Sequence, residues 1–529
     1  MTGLHAAIST PVSARWKRVW LPAAAMVGIV AAVAAALPFG SRFGQVFFLG
    51  VAALAIGVFA LRSPVFTTLL LFVAMFLLLP IRSWVHVPTD AYKIVFALLV
   101  VGTALWMNRT PDRLRGIGAV EWAMCLYVMW NVYSMVSAHE YSAGPQVSLG
   151  KVNGLNVEPF SVPSFIGFGV VIPLVCYVVG RYTFDRMAAV RAALWMILAL
   201  AAYSAAMSIL PVTGPTALVW PQYILHDPRW VGRAVGVMAQ PVENGMVLVL
   251  GFAIAVVLAS WRTEPAWRRR VAFVVAVACG FGIYLTHTRA VWLSAVIVLI
   301  IGATLAKGFR TGFIAGLGLT TTVVVVNWSV FTSTDRKAGG VGSLGEIWDR
   351  LNINQTALWA IAQKPLTGWG IGRFYSVNMY HHQQWSIDTP WRNGWADAPH
   401  ENELGILAEL GFIGLAFWLC VLALIAHRLW RAYRTLPESD LCGQPLAVIA
   451  IMAFAILLST GIASDLRFFG FPMSAIFLLV GAGIGWSDRH KFRRAAACGD
   501  IAEQVDIGEQ VQGRHARPRL DAFHREFSP

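Results

Sequence analysis

Two arginines and one histidine have the side-chain chemistry to bind a pyrophosphate and to deprotonate a hydroxyl group. These residues are Arg233, Arg289 and His400. A guanidinium keeps its charge and binds phosphate oxygens through parallel N–H groups, whereas a neutral imidazole can take the proton of an attacking hydroxyl. Together they are the parts needed to move a sugar from a lipid pyrophosphate without a metal, since the arginines can stabilise the leaving group.

His400 lies where a long polar loop stops and an apolar helix begins. Pro399 suits the first turn of a helix, where its missing N–H costs nothing, and Asp397 is a plausible N-cap. We therefore predict that His400 lies in the first helical turn. The positive end of the helix dipole there favours the neutral imidazole and also attracts phosphate-like anions.

Each of these residues also has an ordinary structural interpretation. Arg289 can be a snorkelling interface residue, and Arg233 can simply pair with Glu243. His400 can be a helix-start residue without catalytic duty. These alternatives stay open from the residues alone.

Other polar motifs are weaker signals of chemistry. Gly370-Ile-Gly372 is typical of a turn, and adjacent histidines such as His381-His382 are more often solvated than metal-binding. The chain has no Asp-x-Asp pair, and the pair Glu401-x-Glu403 lacks other obvious ligands. We therefore predict no metal site and no cofactor.

The composition places these residues in a polytopic α-helical membrane protein. The chain has 529 residues, a mean hydropathy of +0.63, 57% hydrophobic and 13% charged residues. Many apolar runs approach the roughly 20 residues that a spanning helix needs, and the alternation typical of a β-barrel is absent. The net charge of +14 does not indicate nucleic acid, because the basic residues punctuate the apolar runs as topology signals do.

We predict an all-α protein of about fourteen spans (12–14), divided into five parts. Residues 1–17 form a cytoplasmic N-terminus, 18–330 a bundle of about eleven spans, 331–403 a large periplasmic loop, 404–487 the last spans and 488–529 a flexible cytoplasmic tail. The spans lie near 18–38, 45–62, 64–80, 92–108, 118–137, 163–180, 188–210, 243–261, 271–287, 290–306, 311–330, 404–426, 445–464 and 469–487.

The distribution of Lys and Arg orients the chain with both termini in the cytoplasm. Arg233, Arg289 and His400 then face the same outer interface. All six cysteines fall in spans or on the inner side, so we expect no structural disulfide. Within the large loop, residues 344–363 form an amphipathic pattern that predicts a helix, with Ile347, Leu351, Ala357, Leu358 and Ile361 on one face.

Three blocks resemble the O-antigen ligase and O-antigen polymerase superfamily of bacterial envelope glycosyltransferases. The first is Thr286-His-Thr-Arg289, with Thr288 in place of the usual Ser. The second is Arg350, Trp359, Pro365-Leu366 and Gly368-Trp-Gly-Ile-Gly-Arg-Phe374. The third is Pro399-His-Glu-Asn-Glu-Leu404 followed by Glu409-Leu-Gly411-Phe-Ile-Gly414, in which Glu401 stands where Asn commonly follows the histidine. Asn402 can take over that role, or the contact can be lost.

The resemblance implies a GT-C-like fold in the bacterial inner membrane and an inverting, metal-independent reaction on its periplasmic face. The donor would be an undecaprenyl-pyrophosphate-linked glycan. Carried over residue by residue, Arg233 and Arg289 would bind the pyrophosphate and His400 would act on the acceptor. Glu403 and Glu409 are supporting candidates around that site.

The acceptor stays open, with a slight preference for a polymerase of O-antigen or exopolysaccharide. The alternatives are a ligase to lipid A core, a protein O-oligosaccharyltransferase and, outside the family, a polytopic transporter or flippase. A transporter predicts charged or broken helices near the bilayer midplane, whereas the notable charges here cluster at one interface.

Overall fold

The structure, a computed structural model, describes residues 56–80, 90–109, 116–145, 151–152, 155–156, 160–334 and 344–491. Its contacts divide the chain into two compact units, Met1–Ala74 with Thr89–Leu114, and Met75–Pro88 with Arg115–Pro529. The candidate site residues Arg233, Arg289 and His400 all belong to the second unit.

The first unit contains most of helix α1 (Pro64–Phe76) and all of α2 (Ala91–Arg109). The hydroxyl of Thr67 donates to the carbonyl of Ala60 at 2.7 Å. This side-chain bond satisfies a backbone carbonyl just before the proline that starts α1.

Where the structure describes it, the second unit consists of helices, their connecting turns and loops, and one small hairpin of two strands, β1 (Lys151–Val152) and β2 (Leu155–Asn156), which pair antiparallel. Its longer helices are α3 (Ala119–Val136), α4 (Val162–Thr183), α5 (Met187–Thr213), α6 (Pro241–Ser260), α7 (Ala266–Leu285), α8 (Arg289–Leu305), α9 (Arg310–Val326), α10 (Leu344–Gln363), α11 (Phe374–Tyr380), α12 (Asn402–Thr435), α13 (Gln444–Gly461) and α14 (Gly470–Lys491).

Seven helices of the described residues are long and apolar enough to cross a membrane: α2, α4, α5, α6, α12, α13 and α14. Each coincides with a predicted span. Helices α1, α8 and α9 are apolar but shorter, and α3 and α7 are helical without meeting both conditions. The predicted span 18–38 and most of 45–62 lie outside the described residues. The chain is thus a helical, multi-pass membrane protein, and the predicted count of fourteen is not confirmed.

Helices α6, α13 and α14 form the most buried part of the second unit, with 83–94% of their apolar windows enclosed. Small residues allow this packing. A Cβ added at Gly251 of α6 would overlap Ala201 of α5, and one at Gly245 would overlap Val291 of α8. Close contact between α6 and α8 fixes the position of the short turn that precedes α8.

A buried charge cluster ties α14 to its neighbours at the end opposite to the predicted site. Arg181 pairs with Glu121 and, at 3.0 Å, with Asp488, which also pairs with Arg428 at 2.5 Å. Helix α14 therefore extends to Lys491 and includes the first four residues of the segment predicted as a flexible tail. The remainder of that tail lies outside the described residues.

Helix α10 has the bounds that the sequence predicts, but its buried face is shifted. Its fully enclosed residues include Asn352, Ile353, Thr356 and Ala360, whereas Leu358 is half exposed. The prediction holds for Ala357, which is fully buried, and for Ile361, which packs against the buried cluster. The buried face is nevertheless shifted, because two polar side chains turn inward to satisfy backbone groups. The Asn352 amide, for example, donates to the carbonyls of residues 390 and 393 at 2.9 and 3.0 Å.

Helix α12 is interrupted at Gly411, whose φ of 67° is left-handed. The backbone before the glycine-rich segment fills the gap: Phe412 N donates to Pro365 O at 2.8 Å. A Cβ at Gly411 would overlap the Leu366 carbonyl. Position 411 therefore requires glycine for both its backbone angle and its close neighbour.

The glycine-rich segment continues along the same interruption. Gly370 N donates to Glu409 O at 2.8 Å and Trp369 N to Ala408 O at 3.0 Å. Gly368 has a φ of 68°, and a Cβ there would overlap the backbone of Glu409. The predicted turn is found, and its function is to join the segment after α10 to α12.

Replacing Gly368 by alanine tests this junction. The left-handed backbone alone costs about 1–2 kcal/mol for a residue with a Cβ, and the overlap with Glu409 adds to it. We expect Gly368→Ala to lower the midpoint of thermal unfolding in detergent, measured by the fraction that stays monodisperse after heating.

Gly318→Ala is the matched control, because a Cβ there meets no heavy atom within 4 Å and the residue lies inside α9. Alanine should be neutral or slightly stabilising at that position. Equal stability of the two variants would contradict the assigned junction.

Candidate active site

Arg233 and Arg289 meet at one short turn between α7 and α8. The Nε of Arg233 donates to the carbonyl of Thr286 at 3.2 Å, and its Nη2 donates to the hydroxyl of Thr288 at 2.7 Å. Ala234 N donates to Leu285 O at 2.8 Å. Since Arg289 directly follows Thr288, Arg233 is bonded to the same four-residue segment, Thr286–Arg289, that contains the second arginine. The predicted placement of both at the outer interface stays a prediction.

Local hydrogen bonds shape this turn. The hydroxyl of Thr286 closes α7 by donating to Ile283 O at 2.8 Å, and the indole of Trp292 donates to the same carbonyl at 3.0 Å. His287 takes a left-handed φ of 45°, which reverses the chain, and α8 then starts at Arg289. The arginine is thereby placed, half-buried, at the first position of a helix.

Glu346 connects the arginine turn with His400, and the sequence analysis missed it. Its Oε1 lies 4.0 Å from Nη1 of Arg233, and its charge also contributes to the pKa of His400. The first turn of α10 therefore lies between the two predicted functional groups. The alternative partner of Arg233, Glu243, is not the carboxylate that the structure pairs with it.

His400 lies just before α12, and the predicted helix start is wrong. Helix α12 begins at Asn402 with Glu401 as its N-cap, so Asp397 is not the N-cap and Pro399 is not in the first turn. The physical reason is an anchor at Asn402, whose side-chain oxygen accepts from Leu466 N at 3.2 Å. This bond fixes where the helix starts, and His400 stays in the preceding bend.

The surroundings of His400 favour its neutral form. The side chain is 35% exposed, and its Nε2 lies 3.7 Å from the carboxylate of Asp397. Burial is the main cause that holds the pKa of His400 below its ordinary value, with Arg350 acting in the same direction. Asp397, Asp349 and Glu346 raise the pKa but do not outweigh the burial. A neutral imidazole at this position can accept a proton.

Glu403 and Asn402 have structural partners inside the bundle. Glu403 accepts hydrogen bonds from the indole of Trp418 at 3.3 Å and from the Asn402 amide at 3.0 Å. Asn402 is almost fully buried. Its amide therefore positions the start of α12, and the structure does not bring it to the acceptor side of His400.

Glu409 belongs to a buried ion-pair network centred on Arg467, which was not among the site residues predicted from the sequence. Glu409 accepts from Nη1 of Arg467 at 2.7 Å and from Phe374 N at 3.1 Å. Arg467 also binds Asp465 at 2.6 Å. All three side chains are under 5% exposed. The Asp-x-Arg spacing was the available signal for this network.

Both adjacent histidines of the outer segment are hydrogen bonded within the protein. His381 Nε2 lies 2.7 Å from the hydroxyl of Tyr141, and His382 lies between the Asn378 side chain and Trp391 O. Among the described residues, no group of three or more His, Cys, Asp or Glu side chains is placed to hold a metal ion. Independence from metal stays a prediction.

Residues 274–419 match the profile of the family described as O-antigen ligase. The resemblance to the O-antigen ligase and polymerase superfamily is confirmed for this segment. The match runs from within α7 to within α12, so it contains Arg289, Glu346 and His400, while Arg233 precedes it. No curated protein matches the chain significantly.

The O-antigen ligase segment and the apolar helices fit one coarse description, a multi-pass membrane protein of the ligase or polymerase type. The matched segment contains the elements of the candidate site in chain order. It begins within α7 and continues through the arginine turn, α10 and the glycine-rich junction to His400 and the first part of α12.

Glu409→Ala tests whether this residue is structural. The change leaves Arg467 with one carboxylate and removes the acceptor of Phe374 N. Breaking a buried charge pair typically costs about 3–5 kcal/mol, so we expect a large fall in thermal stability and in the yield of folded protein.

Glu140→Ala is the control, because its pair with Lys364 is exposed at the surface and such pairs contribute little. A Glu409→Ala protein of unchanged stability would show that the network does not hold α12 in place.

Proposed function

We propose that the chain is a membrane glycosyltransferase that transfers glycan from an undecaprenyl-pyrophosphate donor to a hydroxyl acceptor. The reaction takes place on the periplasmic face of the bacterial inner membrane during O-antigen or exopolysaccharide assembly. The observation that carries the proposal is that Arg233 is hydrogen bonded to the turn that ends in Arg289 and is linked through Glu346 to a neutral His400. This arrangement lies largely within the O-antigen ligase segment.

The arginines bind the pyrophosphate and stabilise it as it leaves. A guanidinium offers several N–H donors in a planar fork that suits phosphate oxygens, and both arginines lie at the same helix-connecting turn. When the bond between the anomeric carbon and the phosphate oxygen breaks, negative charge grows on the departing pyrophosphate. Two fixed cations lower the energy of that charge without waiting for solvent to reorganise.

His400 takes the proton of the acceptor hydroxyl as its oxygen attacks the anomeric carbon. The attacking oxygen displaces the pyrophosphate in one step, which inverts the configuration at that carbon. The imidazolium that forms lies near Asp397, Asp349 and Glu346, whose charges favour it. Burial thus keeps the free base neutral, and the nearby carboxylates stabilise its protonated product.

Within this reaction class we favour a polymerase slightly, with a lipid-linked repeat unit as acceptor. A ligase to lipid A core and a protein O-oligosaccharyltransferase use the same donor chemistry. Arg289 and His400 lie at or just before the start of a helix, and Arg233 lies in a turn outside the long helices. This placement supports an enzyme over a transporter, which places its functional charges near the middle of the membrane.

Substitutions at Arg289 and His400 separate donor binding from proton transfer. We expect Arg289→Ala to lose nearly all glycan transfer and to weaken binding of a lipid pyrophosphate analogue, whereas Arg289→Lys keeps the charge and part of the activity. His400→Ala should lose about 10²–10⁴-fold in turnover while donor binding survives. Transfer and binding are measured for each variant at matched expression.

Two residues give matched controls for these variants. Arg310 opens α9 as Arg289 opens α8, and His427 is an exposed histidine near the other end of α12. Arg310→Ala and His427→Ala should transfer glycan normally. Near-normal transfer by His400→Ala would remove the histidine from the mechanism and return it to a structural role.

The pH dependence of transfer provides a second test of His400. The base works only when neutral, so the rate falls as the pH drops through its pKa, which lies below the ordinary value of 6.5. Arg350 lowers this pKa and Asp397 raises it. Arg350→Gln should therefore move the acid limb of the rate profile to higher pH, and Asp397→Asn should move it to lower pH.

Arg392→Gln is the control for these charge changes, because this exposed arginine is not among the groups that act on His400. Its acid limb should coincide with that of the unmodified protein. Movement of the Arg350 and Asp397 variants in the same direction would exclude His400 as the group that titrates.

A further inference from the structure

Three exposed tryptophans, Trp385, Trp391 and Trp395, lie in the segment that leads to His400, and the last two form a pair. Trp391 is 48% exposed and Trp395 is 39% exposed. Their ring centroids are 6.1 Å apart, with planes inclined by 33°. Large aromatic side chains grouped at a surface mark a binding site more often than scattered ones do, and nothing in the transfer reaction described above uses this pair.

Ring packing and a hydrogen bond hold the two tryptophan side chains in fixed positions. The Trp391 ring packs with its edge against His382 at 5.0 Å, and His382 in turn is bonded to the Asn378 side chain and to the Trp391 carbonyl. The indole N–H of Trp395 donates to the carbonyl of Met379 at 3.1 Å. A preformed aromatic surface loses little conformational entropy when a ligand binds.

Asparagine side chains attach this segment to helices α10 and α11. Asn378 donates to the carbonyls of Gly394 and Asp397 at 2.6 and 3.1 Å. Asn393 donates to the carboxylate of Asp349 at 2.7 Å, and Asp349 is one of the charges that act on His400. The tryptophan pair is thus joined to the His400 side of the site, whereas the arginine turn belongs to the helices α7 and α8.

We infer that Trp391 and Trp395 form a subsite that binds sugar rings of the acceptor glycan. A sugar ring presents a face of C–H groups that packs on the apolar face of an indole, while its hydroxyls remain at the rim. Trp395 lies two residues before Asp397, whose carboxylate is 3.7 Å from Nε2 of His400. Because the arginines belong to another part of the site, this placement assigns the subsite to the acceptor. The inference rests on the proposed function and narrows it to a carbohydrate acceptor, lipid-linked repeat unit or lipid A core, over a polypeptide.

A membrane-interface role is the main alternative for exposed tryptophans. Trp267 shows what such a position looks like here. It lies in the first turn of α7, is 62% exposed and is followed by Arg268, Arg269 and Arg270. Trp391 and Trp395, in contrast, lie outside the helices in a hydrogen-bonded segment, and the N–H of Trp395 is already bonded to the protein. The contacts therefore favour a glycan-binding role.

The test measures binding separately from turnover. The purified full-length chain in lipid nanodiscs is mixed with one of three probes: the deacylated core oligosaccharide of lipopolysaccharide, an O-antigen repeat-unit oligosaccharide, or a serine-rich peptide. Saturation-transfer NMR reports which ligand protons lie against the protein. Trp391→Ala, Trp395→Ala, Trp391→Phe and the control Trp267→Ala are compared with the unmodified chain.

We expect saturation of sugar-ring protons in at least one oligosaccharide, weakened about tenfold by either alanine change and largely kept by Trp391→Phe and Trp267→Ala. In transfer assays the alanine variants should raise the KM for the acceptor and leave donor binding unchanged. The oligosaccharide probe whose binding depends on the tryptophans shows whether the acceptor is lipid A core or a repeat unit.

Oligosaccharide binding that is indifferent to both tryptophans, or tryptophan-dependent binding of the peptide alone, would overturn the inference. So would alanine variants that bind glycan normally but lose stability only in the bilayer, as interface anchors would. Tryptophan-dependent glycan binding by a protein that transfers no glycan would refute the proposed function and leave the subsite standing.

Discussion

The interruption of α12 at Gly411 is the constraint on which the outer part of the structure depends. A helix that breaks inside a protein leaves backbone groups unpaired, and these must find partners. Here the backbone of residues 365–370 supplies them on one side of the break, and the indole of Trp130 donates to Leu410 O at 2.9 Å on another. The segment after α10 is consequently fixed to α12 by main-chain bonds, which side-chain substitutions elsewhere do not alter. The position of α10 relative to His400 follows from this attachment.

The Arg467 network complements that backbone junction with charge. One guanidinium between two carboxylates is buried at a cost that only dense hydrogen bonding offsets, and the network provides it through Asp465, Glu409 and the Phe374 N–H. Its atoms connect the start of α14 with α12 and with the glycine-rich segment. Pro399 and the guanidinium of Arg467 both lie close to Gly405, where an added Cβ would be 2.8 Å from Pro399 and 3.2 Å from Arg467.

The sequence predicted local features well and long-range partners poorly. The bounds of α10 were predictable because Lys364-Pro365 ends the helix, and the apolar spans were predictable from length and composition alone. The buried face of α10 was only partly predictable, since Asn352 and Thr356 turn inward to bond a loop that lies 27 to 41 residues further along the chain. The start of α12 was missed because a bond from Leu466 outweighs the preference of Pro399 for a first turn. Glu346 escaped notice for the same reason, as its partner Arg233 is far away in the chain.

The candidate site is built from two structural parts of the protein. The arginine turn is part of the packed helices α6, α7 and α8, whereas His400 and the tryptophan pair are attached to α10 and α11. In the proposed reaction, the donor phosphate and the acceptor glycan are bound by different structural parts, which are connected through Glu346. This carboxylate pairs with Arg233 and raises the pKa of His400, so in that reaction it couples the charge of the base to the cation that binds the donor.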